Sequence, residues 1–339
     1  MVATHIFFLG ANGYVGGPVA SRLVDLGYRL TALVRKDDSR AAALRARGVE
    51  VVIGDLDSTD LIRERAASSH AVFACASNSH LPSTVAILEG FEQRYKKEGK
   101  VGILVQTSGT GIFTVDSRGA APAPDAKIYN DLDIAGIEAL GTAHPQRKVH
   151  VKVIEAAEKG YLRSYIILPS TIFGISSLAG VSEIFNKHSN QLPALIRGSI
   201  KRKQAGLVGE YKNTWPLVHT DDLTDLYQRV FESALEGKDV GQGREGFYVA
   251  ENGKYYGVEA AKAVGEALLN RKIADTAEPS TFSPEEMQKY YGAYANFAGT
   301  NSQALGDRSR RAGWAPRYDH ADFIASIDKE VETIYQEEF

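Results

Sequence analysis

The chain reads as an α/β protein, a Rossmann-type doubly wound parallel sheet with a smaller, mostly helical C-terminal substrate domain. Three observations predict this. Short apolar runs alternate with amphipathic stretches through the first half, a glycine-rich turn follows the first run at once, and the pattern loosens into helical spacing beyond Gly174.

The apolar runs lie at residues 6–9, 30–34, 49–53, 71–74, 101–105 and 165–168, with a seventh at 246–250. Continuous Val/Ile/Leu runs of this length suit strands covered on both faces by helices. Helical spacing appears at 15–26, 39–47, 61–68, 85–98 and 149–159, each between two runs, as parallel crossovers require. Later come a basic stretch at 197–203 and helices at 221–236, 258–269 and 321–335. Residues 1–174 are expected to form a dinucleotide-binding domain to which the chain returns at about 205–250. Residues 175–204 and 251–339 then form the substrate-binding domain. Residues 107–146 resist the scheme, because loops that long in compact domains tend to be functional or disordered. This one follows a strand's carboxyl end, where open α/β sheets bind ligands.

A formal charge of −3 over 339 residues gives no electrostatic reason to seek nucleic acid or an anionic membrane, so the expected partner is a small molecule. The single cysteine, Cys75, cannot form an internal disulfide, and a cytoplasmic location is expected. No apolar run approaches the roughly 18 residues of a membrane span, and the first residues lack a basic-then-apolar signal pattern. No metal site is expected, and the oligomeric state is left open.

Gly10-Ala11-Asn12-Gly13-Tyr14-Val15-Gly16 follows the first strand and opens a helix, the context in which a glycine fingerprint has meaning. Gly10 permits the tight turn, Gly13 lets the backbone approach a pyrophosphate, and Gly16 allows close helix-to-strand packing, with the ligand's charge met by the helix N-terminus. An NAD site of this kind places an acid at the end of the second strand. Here Val34 stands there, followed by Arg35 and Lys36, and a guanidinium takes a 2'-phosphate that an acid would repel. The expected cofactor is therefore NADP(H).

Asp55 and Leu56 follow the third strand, and Ala74, Cys75 and Ala76 close the fourth. The small residues leave room for adenosine, while Asp55 reads equally as an adenine contact and as a turn or cap residue. Cys75 has no basic neighbour to lower its pKa and reads as an inert thiol. Thr107 and Ser108 end the fifth strand, and Pro169, Ser170 and Thr171 end the sixth, on either side of the expected nicotinamide position. Their hydroxyls can polarise a carbonyl, hold a carboxamide, or satisfy local backbone.

With these residues assembled, the chain resembles the short-chain dehydrogenase/reductase superfamily, specifically the extended and atypical members that include NAD-dependent epimerase/dehydratase-like proteins. The resemblance covers nearly the whole chain. It rests on the glycine spacing at 10–16 and on Leu168-Pro169-Ser170-Thr171-Ile172-Phe173-Gly174. Pro216-Leu217-Val218-His219-Thr220-Asp221-Asp222-Leu223 and Ala312-Gly313-Trp314-Ala315-Pro316 complete it.

The resemblance implies a Tyr-x-x-x-Lys pair plus a Ser or Thr, with the phenol passing a proton while hydride moves. Counting back from Pro169, the tyrosine should fall near 144–148, which reads His144-Pro145-Gln146-Arg147-Lys148. Three repairs stand open. Tyr129 can reach in from the long loop with Lys148 or Lys152 as partner, although Asp133 occupies the place of its lysine. His144, four before Lys148, can replace the phenol. The pocket can also bind without proton transfer. The leading catalytic candidates are Ser108, Tyr129 and Lys152, while His150, Lys148 and Lys152 also read as the solvated start of a helix. The substrate is expected near Phe113, Trp215 and Tyr290 or Tyr291. The expected activity is an NADPH-dependent oxidoreductase acting on a small carbonyl or related unsaturated compound. Its rivals are a non-catalytic dinucleotide sensor resembling NmrA-like regulators and a cofactor-retaining epimerase or isomerase.

Overall fold

A computed structural model describes residues 4–178 and 184–339. All seven apolar runs become strands of one parallel sheet. They are β1 (His5–Leu9), β2 (Arg29–Val34), β3 (Glu50–Ile53), β4 (Ala71–Ala74), β5 (Gly102–Thr107), β6 (Leu162–Pro169) and β7 (Phe247–Ala250). Their spatial order is β7-β6-β5-β4-β1-β2-β3, so the direction of winding reverses at β1. That reversal opens a crevice between the carboxyl ends of β1 and β4, the switch point at which such sheets bind ligands.

Helices cover both faces because side chains alternate along each strand. On one side α1 (Gly16–Asp25), α2 (Ser39–Ala46) and α7 (Thr220–Glu236) bury Phe8, Val19, Phe73, Tyr227 and Phe231. On the other α3 (Thr59–Ala67), α4 (Leu81–Glu98) and α5 (Pro145–Glu158) bury Phe7, Ile62, Phe91, Leu104 and Val153. A third core, separate from the sheet, is built by α6 (Gln191–Arg202), α8 (Gly257–Asn270), α9 (Pro284–Tyr291) and α10 (His320–Glu338). Ala205, Val208, Tyr211 and Leu217 contribute to this third core, while Val218 already packs with the core on the α7 side of the sheet. Strand Thr214–His219 instead pairs with Thr171–Phe173 and Lys254–Tyr256 in a small sheet of its own.

Helix α6 was not legible as a helix, since its basic residues Arg197, Lys201 and Arg202 draw the eye. Its buried residues Leu192, Leu195, Ile196, Ser199 and Ile200 nevertheless fall at helical spacing. The preceding segment is clasped to α10, where His188 lies 2.7 Å from Glu330 and 3.1 Å from Glu337. Those hydrogen bonds raise the His188 pKa above the ordinary range against the opposing effect of burial.

Two of the motifs that are weak alone turn out to bind each other. The indole of Trp314 donates to the Asp222 carbonyl at 2.7 Å, and the buried Asp222 carboxylate accepts from the backbone N–H groups of Arg317 and Tyr318, each at 2.9 Å.

The segment at 107–146 is pinned rather than loose. Val115–Asp116 pairs with Thr300–Asn301, and Tyr129–Asn130 pairs with Ala304–Leu305. Between them Asp131, fully buried, accepts from Val249 N–H at 3.0 Å, Arg308 N–H at 2.7 Å, Ser309 N–H at 3.2 Å and the Ser309 hydroxyl at 3.3 Å. Burial raises its pKa despite those donors. Asp131→Ala strands several buried donors at once and is expected to lower unfolding free energy by about 3 kcal/mol or more in urea titrations. A loss below about 0.5 kcal/mol, the range of an ordinary surface substitution, would contradict this role.

Candidate dinucleotide site

The glycine turn after β1 divides its tasks. Gly10 has φ +91°, and a Cβ there would sit 2.7 Å from the Ala76 nitrogen, so only glycine lets the turns after β1 and β4 touch. A Cβ on Gly16 would lie 2.2 Å from the Gly10 carbonyl oxygen, which fixes how closely α1 approaches β1. Gly13 is less crowded: its Cβ would meet only the Gly10 oxygen, at 3.3 Å, a tight contact rather than an overlap. Gly17 has a role that sequence reasoning missed, because its Cβ would collide with the Phe185 ring-bearing carbon at 2.2 Å. The backbone of Asn186 donates to the Asn12 carbonyl at 3.2 Å, and the Tyr14 hydroxyl donates to the Gly174 carbonyl at 2.6 Å. Tyr14 is thus an anchor between the glycine turn and the loop after β6, and its burial pushes its pKa well up.

Helix α1 begins after Val15 with no side-chain cap and no acidic residue in its first turn. Its N-terminal amides and the dipole behind them are therefore open to an anion. At the end of β2, Arg35 and Lys36 are exposed, and neither joins an ion pair among the described residues. At the end of β3, Asp55 behaves as a turn residue: one carboxylate oxygen takes the N–H groups of Asp57 and Ser58 and the Ser58 hydroxyl, all at 3.0 Å. The Ser58 hydroxyl, helped by those amides, holds its pKa down. Leu56 packs onto the sheet core beside it. Ala74 is buried, Ala76 is exposed, and burial pushes the Cys75 thiol up to about 12, which makes it inert at neutral pH.

At the carboxyl end of β5, consecutive hydroxyls leave the sheet in opposite directions, as the pleat dictates. Thr107 lies 2.6 Å from the Tyr227 hydroxyl on α7. Ser108 turns to the other face, where its Oγ is 2.7 Å from His150 Nε2 on α5. The Ser170 hydroxyl donates to the Ala250 carbonyl at 2.8 Å, and Thr171 Oγ1 lies 3.3 Å from the Tyr255 hydroxyl. The Pro169 carbonyl oxygen lies 3.5 Å from where a Gly109 Cβ would stand. Of the hydroxyls at these two strand ends, those of Thr107, Ser170 and Thr171 bond to the chain beneath them.

Two assignments need correction. Lys152 is exposed and paired with Glu155 at 2.8 Å, so it does not reach Ser108. The reason is helical phase: at about 100° per residue, Lys148 and Lys152 share the outer face of α5 while Arg147 and His150 share the inner one. His150 is accordingly fully buried and no part of a solvated helix start. Its pKa falls to about 3, first through burial and then through the neighbouring Arg147, whose Nη1 lies 3.2 Å from Nδ1. His144 takes the N-cap position of α5 without capping it, and Lys148 is exposed.

Tyr129 is held by its ring, stacked on Phe113 at 4.5 Å with the Lys127 ammonium 4.7 Å from its centre. Asp133, four residues on, caps the short helix Ile134–Glu138 by accepting from Gly136 N–H at 2.9 Å. The Tyr129-x-x-x-Asp133 spacing is thus a turn, and no tyrosine–lysine pair adjoins Ser108 among the described residues. Trp215 is buried against Phe297 and donates to the Thr300 carbonyl at 2.8 Å, while Tyr290 and Tyr291 pack in the third core. Among the described residues no cluster of side chains could hold a metal ion, and no helix is long and apolar enough to cross a membrane.

Residues 10–112 match a protein-family model described as NAD(P)H-binding. Over 98% of its length the chain is 26% identical to a protein of Acremonium sp. named oxidase ucsJ, covering 97% of that protein. Among solved structures, a UDP-glucose 4-epimerase superposes with a TM-score of 0.67 at 16% identity, covering 98% of each chain. The dTDP-glucose 4,6-dehydratase of Bacillus anthracis, solved in complex with NAD, gives 0.63 at 14% identity over 99% of this chain and 98% of that one.

The division of labour among the glycines is testable. Gly13→Val should keep the protein folded, with only a modest loss of stability from its contact with the Gly10 oxygen, while abolishing NADPH binding, whereas Gly16→Ala should destabilise the fold by about 1 kcal/mol or more through its contact with Gly10. Tight binding of NADPH by Gly13→Val, measured by fluorescence titration, would contradict the assignment.

Proposed function

From a chain with an NAD(P)H-binding domain on the fold of the extended short-chain dehydrogenases/reductases and NAD-dependent epimerases/dehydratases, we propose an NADPH-dependent oxidoreductase that acts on a small carbonyl or related unsaturated compound. The observation that carries this reading is the alignment of three features along one sheet edge. Among the described residues an uncapped helix N-terminus lies after β1, a guanidinium without an ion pair after β2, and the Ser108 hydroxyl, bonded to a histidine alone, after β5.

The residues fit the dinucleotide. Gly13 leaves room above the turn, the amides of α1 face the diphosphate, and Arg35 and Lys36 meet the 2'-phosphate through charge-assisted bonds. Ala74, Cys75 and Ala76 line the adenosine side with small groups, with Leu56 and the turn at Asp55 closing it. Backbone at Thr107, Pro169, Ser170 and Thr171 frames the nicotinamide. A reduced nicotinamide bound there supplies a hydride to the carbonyl carbon.

The chain's own part is to orient and polarise the acceptor. Ser108 donates its hydroxyl to the carbonyl oxygen, and water delivers the proton that completes the alcohol, since among the described residues no tyrosine hydroxyl bonds to Ser108. Tyr129, with Phe113 behind it, is proposed as a wall of the substrate space rather than a proton donor. The third core, formed largely by residues 191–202 and 251–339, supplies the rest of that space. The full-length similarity to a protein named an oxidase supports redox chemistry over a binding role alone. The absent tyrosine–lysine pair favours the sensor reading, and the experiment below separates the two.

NADPH and NADH should be titrated into the wild type and Arg35→Ala, and the NADPH-loaded protein then mixed with a panel of small ketones, aldehydes and quinones. The wild type should prefer NADPH. Arg35→Ala should weaken NADPH alone, by roughly ten- to a hundredfold for the loss of a charge-assisted contact. At least one carbonyl should consume the reduced nicotinamide. Equal affinities would overturn the cofactor assignment, and firm binding with no turnover on any carbonyl would leave the sensor.

A further inference from the structure

Ser108, His150 and Arg147 form a buried chain of hydrogen bonds whose direction can be read from elementary donor rules. A guanidinium only donates, so Arg147 Nη1, 3.2 Å from His150 Nδ1, makes Nδ1 the acceptor. A neutral imidazole that accepts at Nδ1 carries its proton on Nε2. Nε2 is 2.7 Å from Ser108 Oγ, so the imidazole donates and the serine oxygen accepts. The serine's own O–H is then left without an acceptor in the chain among the described residues. Ser108 stands one residue beyond β5, on the carboxyl edge of the sheet.

We infer that His150 is a positioning residue that makes Ser108 a one-way hydrogen-bond donor, so that the site selects a ligand carrying an acceptor oxygen, a carbonyl, beside the nicotinamide. This rests on the oxidoreductase reading for the identity of the ligand but not for the direction of the hydrogen bonds.

Arg147 is what sets the polarity. It is 3% exposed, and no carboxylate pairs with it among the described residues. The nearest acid that acts on it, Glu138, is already held by Arg244 through two contacts of 2.6 Å. Its Nε is buried and has no partner among the described residues. The Phe247 ring of β7 lies 5.5 Å away and edge-on, and among the described residues Arg147 is the charge that bears on the imidazole. A carboxylate in that place would orient the histidine as a base toward the serine, as in nucleophilic triads. A guanidinium inverts the arrangement: Nε2 already holds a proton and cannot accept another. The trio therefore does not make a nucleophile of Ser108. It presents a neutral donor, suited to polarising an oxygen while hydride arrives from elsewhere.

The direct test is side-chain ¹H–¹⁵N correlation spectroscopy of histidine-labelled protein, free and with NADPH, between about pH 5 and 8, where an ordinary histidine titrates. The His150 signal, assigned by its loss in His150→Gln, should show the neutral Nε2–H tautomer across the whole range. Arg147→Met should release it, giving tautomer exchange or titration within that range. A wild-type Nδ1–H tautomer, or protonation of His150 near neutrality, would overturn the inference.

The functional arm uses the carbonyl panel. His150→Phe and Ser108→Ala should each lower kcat about tenfold or more while NADPH affinity holds, and the double variant should be no worse than either, because both remove one interaction. His150→Gln, whose carboxamide can still donate to Ser108, should recover part of the kcat that His150→Phe loses. Full activity in His150→Phe would overturn the positioning role. If the wild type itself turns over no carbonyl, the oxidoreductase reading fails while the tautomer result stands or falls by its own spectrum.

Discussion

Everything at the proposed site hangs on one close approach, that of the turn after β1 to the turn after β4. Gly10 adopts a backbone conformation that other residues avoid, with its Cα against the Ala76 backbone. Because β1 is where the sheet reverses its winding, this contact brings the floor of the crevice together at the switch point. Gly16 then lets α1 start hard against the same turn, which aims its free amides across the crevice. Tyr14 and Asn12 extend the constraint outward by bonding to Gly174 and Asn186, and so couple the glycine turn to the segments that enter the third core.

The rest of the molecule holds that edge rigid by burying charge only where donors are dense. Asp131 gathers β7 and the helix Asp307–Arg311 onto the long segment after β5, which would otherwise swing free of the sheet edge. Asp222 and Trp314 do the same where α7 meets the chain leading into α10. A buried carboxylate with several backbone donors fixes geometry more firmly than an apolar contact, because each donor it abandons is left unsatisfied. By contrast, Arg147, like Arg94, is a buried charge with no ion pair among the described residues, and it sits one turn of helix from the residue that contacts Ser108.

The strands were legible because a strand covered on both faces must be apolar throughout, and the seven Val/Ile/Leu-rich runs have no other reading. The glycine turn was legible because backbone geometry there excludes other residues. The ordering of residues 107–146 was not, since its support comes from 300–309, nearly two hundred positions away, and pairing across that distance leaves no local pattern. The outward turn of Lys152 was legible too, because the inward stripe of Arg147, His150, Val153 and Ile154 is present in the spacing and turns Lys152 to solvent. Thr107 and Ser108 carried a similar warning, since adjacent residues on a strand cannot both face one ligand.

The account's central claim is that one sheet edge holds NADPH from Arg35 to Ser108. A crystal structure of the NADPH complex tests it most directly. The diphosphate should lie on the amides of residues 14–16, the 2'-phosphate against Arg35, and nicotinamide C4 on the side of the cleft that the Ser108 hydroxyl faces. A dinucleotide bound in the reverse sense, or with its nicotinamide remote from Ser108, would contradict it.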